Sequence, residues 1–239
     1  MPFSDSIFST QTEEPIPIEA PVWASHADGY LSLGSQYVYR GIAARDSGPV
    51  MSGQIAVTGW QGWFVDAWLG RVESGYYDGT SISSAWQVDL MAGYAGEFSP
   101  NWQWALARAW IDGIDDGLPE SQNYQEWRGN IFYLDNWSAQ LAYTEDYRQQ
   151  GWPAWNAEIK YSQPLMAVLI GEVGWGRSHG AGTARNYYNY GWVGIQGSYL
   201  SAEWSLHWID TSKNSRYVIN ASRSGNRVEL TLTWPFKIF

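Results

Sequence analysis

From Asp28 onward, apolar and polar residues alternate with a period of two. That period is the mark of strands with one apolar and one polar face. In 84–98, Trp86, Val88, Leu90, Ala92, Tyr94 and Phe98 form one row, and Gln87, Asp89, Gly93 and Glu97 the other. In 154–163, Trp155, Ala157, Ile159 and Tyr161 oppose Asn156, Glu158, Lys160 and Ser162. In 201–210, Ala202, Trp204, Leu206 and Trp208 oppose Glu203, Ser205 and His207. In 226–238, Val228, Leu230, Leu232, Trp234 and Phe236 oppose Arg227, Glu229, Thr231 and Thr233. Helical spacing is absent. The pattern predicts twelve strands, over about 29–42, 49–59, 61–72, 84–98, 101–112, 122–133, 135–147, 154–163, 165–176, 187–199, 201–210 and 226–238.

The connections sort into two alternating kinds. Tight ones are expected at Gly59–Gly62, Ser99–Pro100, Asp135–Asn136, Gln163–Pro164 and Leu200–Ser201. Longer ones are expected at 43–48, 73–83, 113–121, 148–153, 177–186 and 211–225. Short turns at one end and long loops at the other characterise outer-membrane β-barrels. An even strand number puts both termini at one end, which would be periplasmic. The expected fold is therefore all-β, a twelve-stranded antiparallel transmembrane barrel over 28–239. Residues 1–27, with Pro2, Pro15, Pro17 and Pro21, read as a flexible periplasmic arm.

Composition sharpens this. Charged residues make up 16% and aromatics 17%, with 17 Trp and 16 Tyr. Trp and Tyr near strand ends suit girdles at the two membrane interfaces. A soluble barrel or sandwich would turn the apolar rows inward, where so many Trp side chains do not fit. No apolar run reaches the ~18–20 residues of a transmembrane helix. Arg108 breaks the pattern, being in phase with Trp104, Leu106 and Trp110. It calls for a bulge or for a side chain that snorkels to an interface. Met1-Pro2-Phe3-Ser4-Asp5 has neither the basic start nor the apolar core of an export signal, so an exported chain would be seen here in mature form.

The net charge of −10 argues against nucleic-acid binding. The absence of Cys excludes disulfides, thiolate metal sites and Cys nucleophiles. The last strand ends in Phe236-Lys237-Ile238-Phe239, an alternating strand with a terminal aromatic. It resembles the signal by which the barrel-assembly machinery recognises its clients.

Several segments resemble one family. Tyr37-Val38-Tyr39-Arg40-Gly41-Ile42 is similar to its Asp-Tyr-x-x-Arg-Gly-Ile signature. Gly48-Pro49 with Gly53-Gln54 is similar to a Pro-x-x-Gln-Gly segment, with the Gln and Gly shifted. Gln87-Val88-Asp89-Leu90 and Gly93-Tyr94-Ala95-Gly96-Glu97 resemble its Glu-x-Asp-x-x-x-Gly-Tyr-x-Gly stretch, with Gln87 in place of Glu. Asn123-Tyr124-Gln125-Glu126 resembles its Asn-Tyr-x-Glu motif. The family is Gcw_chp (TorF-related), and the resemblance spans roughly 28–236. The C-terminus departs from it, because Ser222-Arg223-Ser224 is followed by another strand-like stretch. The resemblance implies a Gram-negative outer-membrane barrel of unsettled function and supplies no catalytic residues.

Candidate chemistry is sparse. An outer-membrane lipid hydrolase would need Ser and His within hydrogen-bond reach on the lipid face. The three His are His26 in the arm, His179 beside Ser178 in a loop, and His207 on the polar row. Asp112-Gly113-Ile114-Asp115-Asp116-Gly117 is an acidic loop without the spacing of an EF-hand. No cofactor or metal site is expected.

The polar rows carry the remaining information. By phase they place Gln36, Arg40, Gln54, Asp66, Trp68, Gln87, Asp89, Glu97, Glu126, Arg128, Asn130, Gln140, Glu158, Lys160, Glu172, Gln196, Glu203, His207, Arg227 and Glu229 in the lumen. Acids outnumber bases. The leading expectation is a non-enzymatic outer-membrane channel for passive diffusion of small polar solutes, neutral or cationic. Its expected partners are those solutes, outer-membrane lipids and lipopolysaccharide, and the assembly machinery. The alternatives are a closed structural or adhesion-type barrel acting through its extracellular loops, or a lipid hydrolase.

Overall fold

The computed structural model describes residues 24–43, 48–75, 82–114, 123–147, 151–179, 187–212 and 225–239. Twelve of its strands close into one antiparallel barrel. They are β1 (Ala24–Gly34), β4 (Val50–Gly59), β5 (Trp63–Gly75), β6 (Ile82–Ser99), β7 (Trp102–Ile114) and β8 (Tyr124–Tyr133). The others are β9 (Trp137–Thr144), β10 (Ala154–Met166), β11 (Leu169–His179), β12 (Tyr187–Tyr199), β13 (Ala202–Thr211) and β14 (Arg227–Lys237). Neighbours in sequence are neighbours in the wall, and β1 closes the ring against β14, with Leu31 opposite Trp234. The seam extends to the last residue, where the Ala27 amide donates to the Phe239 carbonyl at 3.1 Å.

The barrel is apolar outside and polar inside. Leu31, Ile55, Leu90, Leu106, Ile131, Leu141, Val173, Val193, Leu206 and Leu230 are all exposed, and among the described residues the largest fully buried side chains are Glu126 and Asn156. This inverts the burial pattern of a soluble protein and matches a barrel whose outer face meets lipid. Aromatic residues gather at both ends of that face. Toward the tight-turn end, Phe98 stacks with Trp104, while Trp102 packs tilted against Tyr133 and Trp137 against Tyr161. Trp86, Trp110, Trp127, Tyr143, Trp175 and Trp208 lie toward the other end.

Arg108 points outward with no bulge at its position, opposite Ala92 and Trp127 in regular register. Its guanidinium lies 5.0 Å from the centre of the Trp127 ring and donates to Gln125 Oε1 at 2.9 Å. The cation is thus sheltered by an aromatic face and an amide.

The largest departure from the sequence-based reading is in the first strand. It does not run over 29–42 but ends at Gly34. Two short strands, β2 (Val38–Tyr39) and β3 (Ile42–Ala43), then form a separate hairpin. Its tip is Arg40-Gly41, with φ of 52° and 76°. Two consecutive residues with positive φ make the turn of a two-residue hairpin, and a chain that turns back so tightly cannot continue along the wall. At the other end of β1, Ala24–Ala27 belong to the strand rather than to the arm.

The remaining differences are local. The β10–β11 turn is at Ala167–Val168, not Gln163–Pro164, because β10 runs on to Met166 past an irregularity in register after Pro164. His26 lies in β1 and His179 ends β11. Asp112, Gly113 and Ile114 end β7, while 115–122 and 213–224 lie outside the described residues.

Candidate functional site: a hairpin latched across the lumen

The β2–β3 hairpin enters the barrel and touches the wall on several sides. Beside β14, Gln36 Nε2 donates to the Val228 carbonyl at 2.7 Å and its Oε1 accepts from Arg227 at 3.3 Å. The Val38 amide donates to Glu229 Oε1 at 3.2 Å. Tyr37 stacks on Trp68 of β5, ring centres 5.2 Å apart. At the tip, Thr211 Oγ of β13 donates to the Gly41 carbonyl. A side chain at position 41 would collide with the Tyr190 ring and the Thr211 hydroxyl, so the close approach requires glycine. Ile42 packs against Tyr188 and Tyr190 of β12, with Trp192 beside them.

The charged centre is Glu126 of β8. Arg40 Nη2 reaches both of its oxygens, at 2.9 and 3.0 Å. Arg128 Nε donates to the same carboxylate at 2.6 Å and Tyr39 Oη at 3.3 Å. Only 1% of the Glu126 side chain and 11% of the Arg40 side chain is exposed. Arg128 links this cluster to Asp89 of β6, Nη2 to Oδ2 3.8 Å, and Asp89 accepts from Gln87 at 2.7 Å. Three segments far apart in the chain, Tyr37–Ile42, Gln87–Asp89 and Asn123–Glu126, are thereby brought together.

A second cluster lies on the wall of β10 to β13. Glu172 accepts from Trp192 Nε1 at 3.0 Å, faces His207 Nε2 at 2.8 Å and lies 4.0 Å from Lys160 Nζ. Asn156 donates to Tyr190 Oη at 2.9 Å, and Tyr190 donates to Glu158 at 2.8 Å. Gly174 and Gly176 leave room for the Trp192 and Tyr190 rings to lie flat on the wall, where any side chain would collide with them.

The polar rows thus lie on the inner face, as phase predicts. Gln54 donates to Asp66, and Asn130 pairs with Gln140 across β8 and β9 at 2.9 Å. Glu97 and Glu203 lie near the tight turns, opposite Gln103 and Thr233. Arg40 and Gln36 differ from the expectation, since they reach the lumen from the hairpin and not from a wall strand. Sequence phase missed the hairpin's own contributors, Tyr37, Tyr39 and Gly41, and their seats at Tyr190 and Thr211. The usable signal was Arg40-Gly41 between Val38-Tyr39 and Ile42-Ala43, a glycine-containing pair flanked by strand formers.

Hydrolase geometry is not found at Ser178–His179. They are successive residues of a strand, so they point to opposite faces; His179 stacks on the outward Trp155, ring centres 5.9 Å apart. His207 faces Glu172, and His26 faces Asp28 at 2.8 Å. Among the described residues, no group of three or more His, Asp or Glu is placed to hold a metal.

No family model and no curated protein matches this chain. Similarity appears in the fold. An outer-membrane channel from Pseudomonas putida F1 superposes with a TM-score of 0.55 at 11% identity, covering 95% of this chain and 100% of that one. A KdgM porin superposes at 0.52 with 11% identity, covering 88% and 99%. A KdgM porin in complex with disordered oligogalacturonate gives 0.52 at 12% identity, with the same coverage. The chain shares the closed β-barrel fold of outer-membrane channels.

Proposed function

We propose that this protein is a passive channel for small polar solutes, neutral or cationic, in the Gram-negative outer membrane, with the tight turns and both termini periplasmic. The observation that carries this reading is the inner face. Acidic side chains on it, Asp66, Asp89, Glu126, Glu158, Glu172, Glu203 and Glu229, outnumber the basic Arg40, Arg128, Lys160 and Arg227. An excess of carboxylates along a lumen wall concentrates cations and repels anions. Arg40 and Arg128 are matched by Glu126 and Asp89 together. The likeness to porins supports the channel role. The acid excess argues against a polyanionic solute of the kind found with one KdgM porin.

The test is conductance of the purified protein in planar bilayers under a salt gradient. Reversal potentials on the cation side are expected, and anion selectivity would overturn the solute class. A second reading, a closed structural barrel, is favoured by the hairpin's reach from β14 to β5. Absence of conductance in the native protein and in a hairpin-deleted variant would select it.

A further inference from the structure

We propose that the β2–β3 hairpin is a releasable gate and that Glu126 is its catch. This rests on the channel reading and adds the regulation of the lumen.

The hairpin cannot hold its position by itself. Among the described residues its ladder has two residue pairs, Val38 with Ala43 and Tyr39 with Ile42, and an isolated ladder of that size is not stable. Its tip also carries a strained residue. Arg40 has φ of 52°, a region that side chains other than glycine enter at a cost and keep only when their surroundings enforce it. What enforces it is the wall.

The wall contacts are unequal. Those of Gln36 and Val38 lie at the base, beside β14, where the chain has just left β1. They anchor the hairpin without fixing its tip. The tip is held by the Gly41 carbonyl on Thr211, by the packing of Ile42 against Tyr188 and Tyr190, and by Glu126. Of these, Glu126 alone gathers three donors: Tyr39 Oη, the Arg40 guanidinium and Arg128 Nε. Two donors belong to the hairpin and one to the wall. At the tip a single carboxylate therefore ties the hairpin to the wall, and Arg128 stays on the wall beside Glu126 when Arg40 leaves. Buried ion pairs hold geometry in this all-or-none way, because a partly separated pair is worse than either a closed or a hydrated one.

The wall does not depend on the hairpin. Every barrel strand keeps both of its neighbours through backbone pairing, β1 with β4 and β14 included. Release of the tip leaves the ring intact.

The experiment compares three proteins in planar bilayers: wild type, Glu126→Gln, and a chain with Tyr37–Ala43 replaced by a Gly-Ser linker. Folding of each is verified by the heat-dependent shift on gels. Accessibility of the tip is read by trypsin cleavage after Arg40, identified by mass spectrometry. The expected result is that Glu126→Gln raises open probability several-fold, that its open level equals that of the deletion, and that Arg40 is cut in this variant but protected in wild type. Should Glu126→Gln fail to fold, Arg40→Asn carries the same conductance expectation, because Asn tolerates the positive φ and lacks the guanidinium. If the deletion conducts more than wild type but the point variants behave as wild type, the hairpin is a fixed constriction and the gate is overturned while the channel stands. If the deletion does not conduct, the channel and the gate fall together.

Discussion

Arg40 and Glu126 are separated by 86 positions in the chain and meet side chain to side chain inside the barrel, with Nη2 at 2.9 and 3.0 Å from the two carboxylate oxygens. One residue sits at the tip of an inward hairpin and the other on the wall of β8. The contact joins a motif of the first fifty residues to the inner wall of β8.

The seat of the hairpin tip predicts the effect of enlarging Gly41. A side chain there meets Tyr190 and Thr211, and the φ of 76° is unfavourable for a β-branched residue. Gly41→Val is expected to displace the tip, at a cost of about 1–3 kcal/mol to the seated state. Trypsin cleavage after Arg40 should then appear in the folded protein. Continued protection of Arg40 would show that the tip is held without close packing at position 41.

The outer face predicts a sharp contrast between neighbouring positions. Val193 lies mid-strand in β12 and points outward, whereas Gln196 lies on the inner row of the same strand. Val193→Arg places a charge near the centre of the lipid and is expected to cost ~2–4 kcal/mol. Gln196→Arg should change stability little. Denaturant unfolding from lipid vesicles checks both. Equal costs would contradict the assignment of faces.

These two faces were legible in the sequence because successive residues of a strand point to opposite faces of the wall, and the period of two survives any error in strand ends. Asp66, Asp89, Glu126, Glu158, Glu172 and Glu229 therefore fall on the inner face as phase predicts. The hairpin was not legible, for a physical reason. Tyr37, Val38, Tyr39 and Ile42 have the composition of a strand, and the last three do form strands, but those of the β2–β3 hairpin and not of the wall. Alternation reports a local backbone shape, not which partner the strand pairs with. The contacts that draw the hairpin inward, Arg40 to Glu126 and Gly41 to Thr211, are separated by 86 and 170 positions, beyond the reach of any window.

Two of the tight turns contain leucines with positive φ, Leu134 at 50° and Leu200 at 56°. Left-handed backbone costs roughly 1–2 kcal/mol for an ordinary L-residue, and Asn tolerates it better. Leu200 is 83% exposed, so its replacement loses little packing within the chain. Leu200→Asn is expected to raise the gel-shift midpoint temperature in detergent, and the double change with Leu134→Asn to raise it further. A lowered midpoint would mean that lipid or detergent contact with these leucines outweighs the backbone strain.

The last prediction concerns which side of the membrane each end of the barrel faces. Five tight turns share one end with Phe239, whose carbonyl is bound to Ala27 at the β1–β14 seam. If that C-terminal strand is the part the assembly machinery grips, this end is periplasmic and the longer connections are outside. The chain has no cysteine, so a single introduced thiol reports without background. Asn101 is exposed in the β6–β7 turn, and its side chain can be replaced without breaking a strand pair. Cys at Asn101 should stay unlabelled by a membrane-impermeant maleimide on intact cells and react once the outer membrane is permeabilised. Cys at Gly79, Asp116 or Gly182, positions in the longer connections and outside the described residues, should react on intact cells. The reverse pattern would turn the barrel over, place the mouth above the Arg40–Glu126 contact in the periplasm, and remove the C-terminal strand as the assembly signal.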